Sequence, residues 1–237
     1  MSTRDLREQV LEANLAIARS GLAKLTWGNT SGIDRERGLV AIKPSGVPYD
    51  ELDPDTIPVV DLDGKVVEGD LRPSTDTATH LELYRAFSGI GGITHTHSFY
   101  ATAFAQARRE LPFLGTTHAD HFRGPIPVTR EMRPDEIAGD YELNTGRVIV
   151  ERFAGVDPHD MPAVLVAQHG PFAWGTDAAD SVQNATVLEA VAELALHTLT
   201  LAPAVAPAGD EILARHFDRK HGPDAYYGNA GVQRTPS

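Results

Sequence analysis

Cysteine is absent from the 237 residues. That excludes a disulfide framework, a thiolate zinc finger, an iron–sulfur cluster and a cysteine nucleophile. Positive charge is scarce: 21 Lys and Arg stand against 33 Asp and Glu, for a formal net charge of −12. Neutralising nucleic-acid phosphates needs clustered Lys and Arg, so this balance argues against a nucleic-acid partner. No apolar run approaches the ~18–20 residues of a membrane span. The start Met1-Ser2-Thr3-Arg4-Asp5 reads as a charged helix beginning and not as a signal peptide. A cytoplasmic globular protein with no membrane partner is the expectation, and the chain is long enough for a substantial core.

Periodicity then orders the chain. Leu6, Val10, Ala13 and Ile17 recur at helical spacing, with Ser2 or Thr3 as cap and Gly21 as stop. Extended runs follow at 39–43, 57–61 and 65–68, the last two flanking the turn signal Asp63-Gly64. A helix is predicted from near Thr75 to Gly89, a strand over 93–97, and an Ala-rich helix over 98–107. The stretch 111–130, rich in Gly, Pro and His, reads as loop with a short strand at 126–129, and short helices follow near 134–139 and 141–151. Ala163 to Ala167 is a buried-strand run, turned at His169-Gly170-Pro171 and paired back by 172–174. Asp177 opens the clearest helix, to about Leu201, and a last helix spans 210–221. No repeat or linker divides the chain. The predicted fold is α/β: one domain over 1–237, with helices on both sides of a mostly antiparallel sheet.

Seven of the ten histidines fall between positions 80 and 169. His95-Thr96-His97 ends a predicted strand, where residues two apart share a face. His169 follows another buried strand. If those strands are neighbours, three imidazoles converge at one rim, a nitrogen set suited to zinc, manganese or cobalt. Satisfied core histidines, or a turn cap at His169, are the plainer alternatives. His118-Ala119-Asp120-His121 is a rival cluster in a loop, more suited to acid–base work than to holding an ion.

Three short segments are built to meet an anion. Gly28-Asn29-Thr30-Ser31-Gly32 reads as a turn of small polar residues. Lys43-Pro44-Ser45-Gly46 puts an amine, a hydroxyl and a glycine at a strand end. Pro73-Ser74-Thr75-Asp76 reads as a helix N-terminus, with Asp76 either its cap or a further hard ligand for a cation.

Taken together these segments resemble the class II aldolase/epimerase family. The resemblance rests on Leu25-Thr26-Trp27-Gly28-Asn29, Ile42-Lys43-Pro44-Ser45-Gly46-Val47 and Pro73-Ser74-Thr75-Asp76-Thr77. It continues through Gly91-Gly92-Ile93-Thr94-His95-Thr96-His97-Ser98, Gly115-Thr116-Thr117-His118-Ala119-Asp120, His169-Gly170-Pro171-Phe172-Ala173-Trp174-Gly175 and Ala225-Tyr226-Tyr227-Gly228. It covers essentially the whole chain. It implies a zinc site (manganese or cobalt being possible ions) at His95, His97 and His169, with Asp76 as an additional ligand. It implies that Asn29, Ser45, Gly46, Ser74 and Thr75 bind a substrate phosphate, with Gly28 shaping the turn and Lys43 close by. Asp120 and Tyr227 would be the acid–base residues, with His216 near the same site. They would be delivered from a neighbouring subunit of a homotetramer, so that the helix and tail at about 209–237 contribute to the active site.

The implied reaction is C4 epimerisation of a pentulose 5-phosphate, L-ribulose 5-phosphate to D-xylulose 5-phosphate, by retro-aldol cleavage and re-addition. A sugar-phosphate aldolase is the second reading, and a metal-storage protein without turnover the third. Aldolases of this family typically carry a glutamate base where this chain has Asp76 and lack the His118-Ala119-Asp120 segment, which favours epimerisation. Two residues depart from the family pattern. Thr75 replaces a serine and keeps the hydroxyl; His121 stands where tyrosine is common, next to Asp120.

Overall fold

Helix α1 (Thr3–Arg19) forms where the apolar spacing predicts it, with Leu6, Val10, Ala13 and Ile17 buried and Ser2 and Asp5 closing a capping box. It lies on a seven-stranded sheet of β1 (Asn29–Asp34), β2 (Leu39–Ile42), β3 (Val59–Asp61), β4 (Val66–Glu68), β5 (Gly92–His95), β6 (Ala163–Val166) and β7 (Gly170–Gly175). The order is β4-β3-β2-β1-β5-β7-β6, and every neighbouring pair is antiparallel. The remaining helices are α2 (Thr77–Ala86), α3 (Phe99–Gln106), α4 (Thr116–Ala119), α5 (Pro134–Ala138), α6 (Tyr141–Arg152), α7 (Ala178–Leu201) and α8 (Asp210–His221). The computed structural model describes residues 1–227; Gly228 of the C-terminal motif lies outside them. The predicted single α/β domain is the one that forms.

Strand β1 corrects the sequence reading, in which 28–32 was a turn. All six of its residues are buried, at the centre of the sheet. Small polar side chains serve there because each has a partner. Toward α1 and α7, Asn14 bonds both the N–H and the carbonyl of Thr30, whose hydroxyl lies 3.0 Å from that of Thr94. The Thr94 hydroxyl continues to Ser181, at 2.8 Å. Toward α2, Ser31 Oγ meets His80 Nδ1 at 2.7 Å and Tyr84 Oη at 2.8 Å. For Thr30 and Ser31 the hydrogen-bond requirement of a buried polar strand is met from both layers.

Alternation along the strands sets the site face. Asn29 pairs with His95, and His95 pairs with Phe172, so the three form one row across β1, β5 and β7. From sequence, His169 follows a buried strand, and convergence requires that strand to neighbour β5. Instead, β5 neighbours β7, and His169 sits in the β6–β7 hairpin just before β7 begins. Because β5 and β7 are antiparallel, the end of one meets the start of the other, and the imidazoles still converge. The predicted strand at 126–129 is reduced to single bridges, Leu111 with Ile126 and Val128 with Leu165.

Candidate metal centre and its pocket

His95 is the last residue of β5 and is almost wholly buried. Its Nδ1–H donates to the Pro171 carbonyl at 2.9 Å, which leaves the Nε2 lone pair free to act as a ligand. The ring is held flat on Phe172, centroids 4.1 Å apart and planes at 17°. Nε2 faces His97 Nε2 at 3.2 Å, close to the roughly 3.4 Å separating two nitrogens on a tetrahedral ion with bonds of about 2.0–2.1 Å. One nitrogen from each of His95, His97 and His169 lies within 4.8 Å of the others, so this triad is positioned to bind a metal ion. The buried Nδ1 of His169 and Oδ1 of Asn29 have no partner among the described residues. Unpaired donor atoms gathered in one place fit a cation.

Asp76 precedes α2, but its carboxylate makes no cap hydrogen bond. It accepts from Asn29 Nδ2 at 2.6 Å instead. This removes the cap alternative and leaves the carboxylate beside the histidines. Burial works against its charge, yet His95, His80 and the Asn29 hydrogen bond outweigh burial and hold its pKa below the ordinary value.

Every residue that the resemblance assigns to the metal or the phosphate lines one pocket of about 300 Å³; Thr30, Ser31 and Gly32 of the first anion segment are buried in β1 instead. The loops that carry the phosphate candidates are sewn together: Ser45 N donates to Arg72 O and Ser74 N to Lys43 O, both at 2.9 Å. Gly28 holds φ +83, and a Cβ there would stand 2.8 Å from the His95 carbonyl, so the turn approaches β5 as only glycine allows. Among the described residues, no protein acceptor takes the N–H of Gly46 or Thr75. Free amides of this kind suit a phosphate. Lys43 is fully buried; its ammonium donates to Val47 O at 2.6 Å and sits 4.8 Å from the Tyr49 ring centroid. Burial lowers its pKa to about 8. Tyr141 and Glu142, at the start of α6, also line the pocket and were missed from sequence. A Tyr-Glu pair opening a helix carries no signal of its own.

Asp120, His216 and Tyr227 line a different place. Asp120 receives a two-pronged pair from Arg219, at 2.9 and 2.7 Å, and His216 Nδ1 lies 3.1 Å away. The Tyr227 ring is 4.8 Å from the Arg219 guanidinium. Burial raises the Asp120 pKa, but Arg219 and His216 more than offset it and the net shift is downward. Within one chain, the acid–base candidates are brought to each other and not to the histidine pocket.

Acid sensitivity follows from the imidazoles. Burial first of all lowers the pKa values of His80, His118 and His169, to about 3, 4 and 3. The unfolded chain takes up these protons near pH 6.5 and the folded chain does not. Stability is therefore full above pH 6.5 and falls as pH drops toward 4. For metal-free protein, calorimetry from pH 7 to 4.5 is expected to show Tm falling by roughly 10 °C; a flat Tm contradicts the buried neutral assignment.

The family profile described as class II aldolase and adducin N-terminal domain matches residues 8–196. A relative named L-ribulose-5-phosphate 4-epimerase UlaF, from Salmonella paratyphi C (strain RKS4594), is 56% identical over 223 residues, covering 94% of this chain and 98% of the relative. The protein of the same name from Salmonella typhi matches to the same extent. Among solved structures, an L-fuculose 1-phosphate aldolase superposes with TM-score 0.77 at 26% identity, over 91% of this chain and 96% of that one. YgbL from Klebsiella pneumoniae gives TM-score 0.70 at 26% identity, over 91% of this chain and 99% of its own. The chain belongs to the class II aldolase and adducin N-terminal domain family.

Proposed function

We propose that this protein is a metal-dependent epimerase that inverts C4 of L-ribulose 5-phosphate to give D-xylulose 5-phosphate. The observation that carries the reading is the 56% identity, over 94% of the chain, to relatives named for that activity. The histidine triad that lines the pocket supports it.

His95, His97, His169 and Asp76 would hold zinc, and the same donors accommodate manganese or cobalt. When bound, the ion supplies Lewis-acid stabilisation of the charge that C3–C4 cleavage leaves on the C2 and C3 oxygens. The protein does the rest. Asn29, Ser45, Gly46, Ser74 and Thr75 anchor the phosphate, so the two-carbon aldehyde fragment stays tethered while its carbonyl turns over. Lys43 stiffens the loop that does this. Asp120 and Tyr227 serve the C4 oxygen from opposite faces: one takes the hydroxyl proton as the C3–C4 bond breaks, and the other returns a proton after re-addition. Positioned proton carriers of this kind contribute about 10²–10⁴ in rate.

Asp120, His216 and Tyr227 reach the substrate from the next subunit of a homotetramer. Their separation from the histidine pocket within one chain supports this arrangement. A sugar phosphate is confined by its charge to the compartment where it is made, which fits a cytoplasmic enzyme. Among the described residues no helix is long and apolar enough to cross a membrane.

The likeness to an aldolase at TM-score 0.77 makes aldol cleavage the second reading. A panel of ketose phosphates, incubated with zinc-loaded protein and an aldehyde trap, separates the two. Inversion of L-ribulose 5-phosphate without accumulated fragments is expected. Stoichiometric release of two carbonyl products would establish the aldolase, and metal binding without turnover of any substrate would leave a storage protein.

A further inference from the structure

His121 departs from the family pattern, and the cleavage chemistry leaves it without a task. Its Nε2 lies 3.2 Å from Lys220 Nζ, on α8. An ammonium can only donate, so this contact needs a neutral imidazole whose Nε2 carries the lone pair. The contact matters because α8 is seated by few others. Most of the helix is exposed and Phe217 is its one buried side chain. Its other polar contacts here converge on Asp120: His216 and Arg219 on the carboxylate, and His221 Nε2 at 3.0 Å on the backbone carbonyl. The helix that leads into the segment of Tyr227 is thus joined to the segment that carries Asp120 through one small polar seam.

The charges around His121 give a second proton little support. Just before it stand Asp120, already paired with Arg219, and His118 of α4, whose Nε2 is 2.7 Å from the Gly124 carbonyl. From α8 come His216, Arg219, Lys220 and His221. From α7 comes Asp180, which already accepts from Thr176 at 2.9 Å. His159 and Tyr227 also stand on the wall of the cavity of about 490 Å³ that His121 and Lys220 share. Lys220 stands closest and is paired with no carboxylate among the described residues, whereas the Asp120 charge is taken by Arg219. Burial, followed by the nearby Lys220, lowers the imidazole pKa below its ordinary value.

We propose that His121 is a positioning residue: when neutral it accepts from Lys220 and seats α8 so that Asp120 and Tyr227 are held as one unit, and when protonated it releases the helix. The proposal rests on the reading that Asp120 and Tyr227 act on the substrate. The seat is intact at pH 7 and above and weakens as pH falls below about 6.5, the ordinary imidazole value.

Hydrogen exchange over residues 210–221, corrected for intrinsic exchange rates, tests this in the intact protein. Wild-type protection is expected to fall by about fivefold or more between pH 7.5 and 5.5. His121→Gln, which offers an acceptor that does not titrate, keeps protection level across that range. His121→Leu, with no acceptor, loses protection at both ends. Turnover should follow: kcat develops an acid limb in the wild type that His121→Gln flattens, with KM changed by less than about twofold. The same pH response in wild type and His121→Gln, or full protection in His121→Leu, overturns the proposal. Exchange needs no substrate, so a missing epimerase activity sinks the catalytic reading alone, whereas a missing exchange pattern sinks the His121 seat.

Discussion

Replacing His95 by asparagine is expected to lower turnover by at least about 10²-fold and to empty the metal centre, while the protein stays folded. His95 is the best-placed imidazole of the three. Its Nδ1–H is fixed on Pro171, its ring is stacked on Phe172, and its Nε2 faces His97 at 3.2 Å. Asparagine is small and polar enough for the site but brings no imidazole nitrogen to the position of Nε2. The loss follows from the several kcal/mol that a Lewis acid contributes to charge stabilisation, each 1.36 kcal/mol being about tenfold in rate. Metal analysis and kinetics on the same preparation check it. A variant that keeps both ion and rate removes His95 from the centre. Chelation of the wild type should reproduce the loss, and added zinc should reverse it.

The second large effect belongs to Asp120. Asp120→Asn keeps the shape and can still bond His216, but it cannot take up a proton. Turnover is expected to fall by about 10²–10⁴, with KM little changed. A near-normal rate would show that Asp120 is no proton carrier. Mixing makes the test sharper. If each site takes its histidines from one subunit and Asp120 from the next, neither His95→Asn nor Asp120→Asn protein is active alone. Mixed oligomers would restore roughly one site in four, because some interfaces pair an intact triad with an intact Asp120. Two inactive preparations that remain inactive after dissociation and reassembly would place both groups in the same protomer's site.

The long helices could be read from the sequence because their apolar positions recur at the helical period: α1 and α7 form where Leu6 to Ile17 and Asp177 to Leu201 predict them. Strand β1 could not. Its Asn-Thr-Ser-Gly composition is that of a turn, and only partners 16 to 64 residues away, from Asn14 to Thr94, make it a central strand. The histidine cluster was legible in part. The His-x-His spacing pointed to a ligand pair, but only β5 is strand at that point, and His97 lies two residues beyond its end. What brings His169 in is the antiparallel meeting of β5 with β7, a property of sheet order that spacing along the chain does not contain. The role of Asp76 was ambiguous for a similar reason. A Ser-Thr-Asp run before a helix looks like a cap whether or not Asn29, 47 residues away, claims the carboxylate. Tyr141 and Glu142 enter the pocket through the packing of α6 and leave no local trace in the sequence.

An acidic chain can hold a phosphorylated substrate when the favourable charge is local. The net −12 belongs to the whole chain, while the Gly46 and Thr75 amides that no described protein group accepts, the hydroxyls of Ser45 and Ser74 and a histidine triad positioned to bind a metal ion meet in one pocket. The most direct test follows L-ribulose 5-phosphate by carbon NMR with protein first stripped of metal and then reloaded with zinc. No conversion is expected from the stripped protein, and conversion to an equilibrium mixture with D-xylulose 5-phosphate is expected after reloading. Unchanged L-ribulose 5-phosphate with zinc bound at the triad would contradict it.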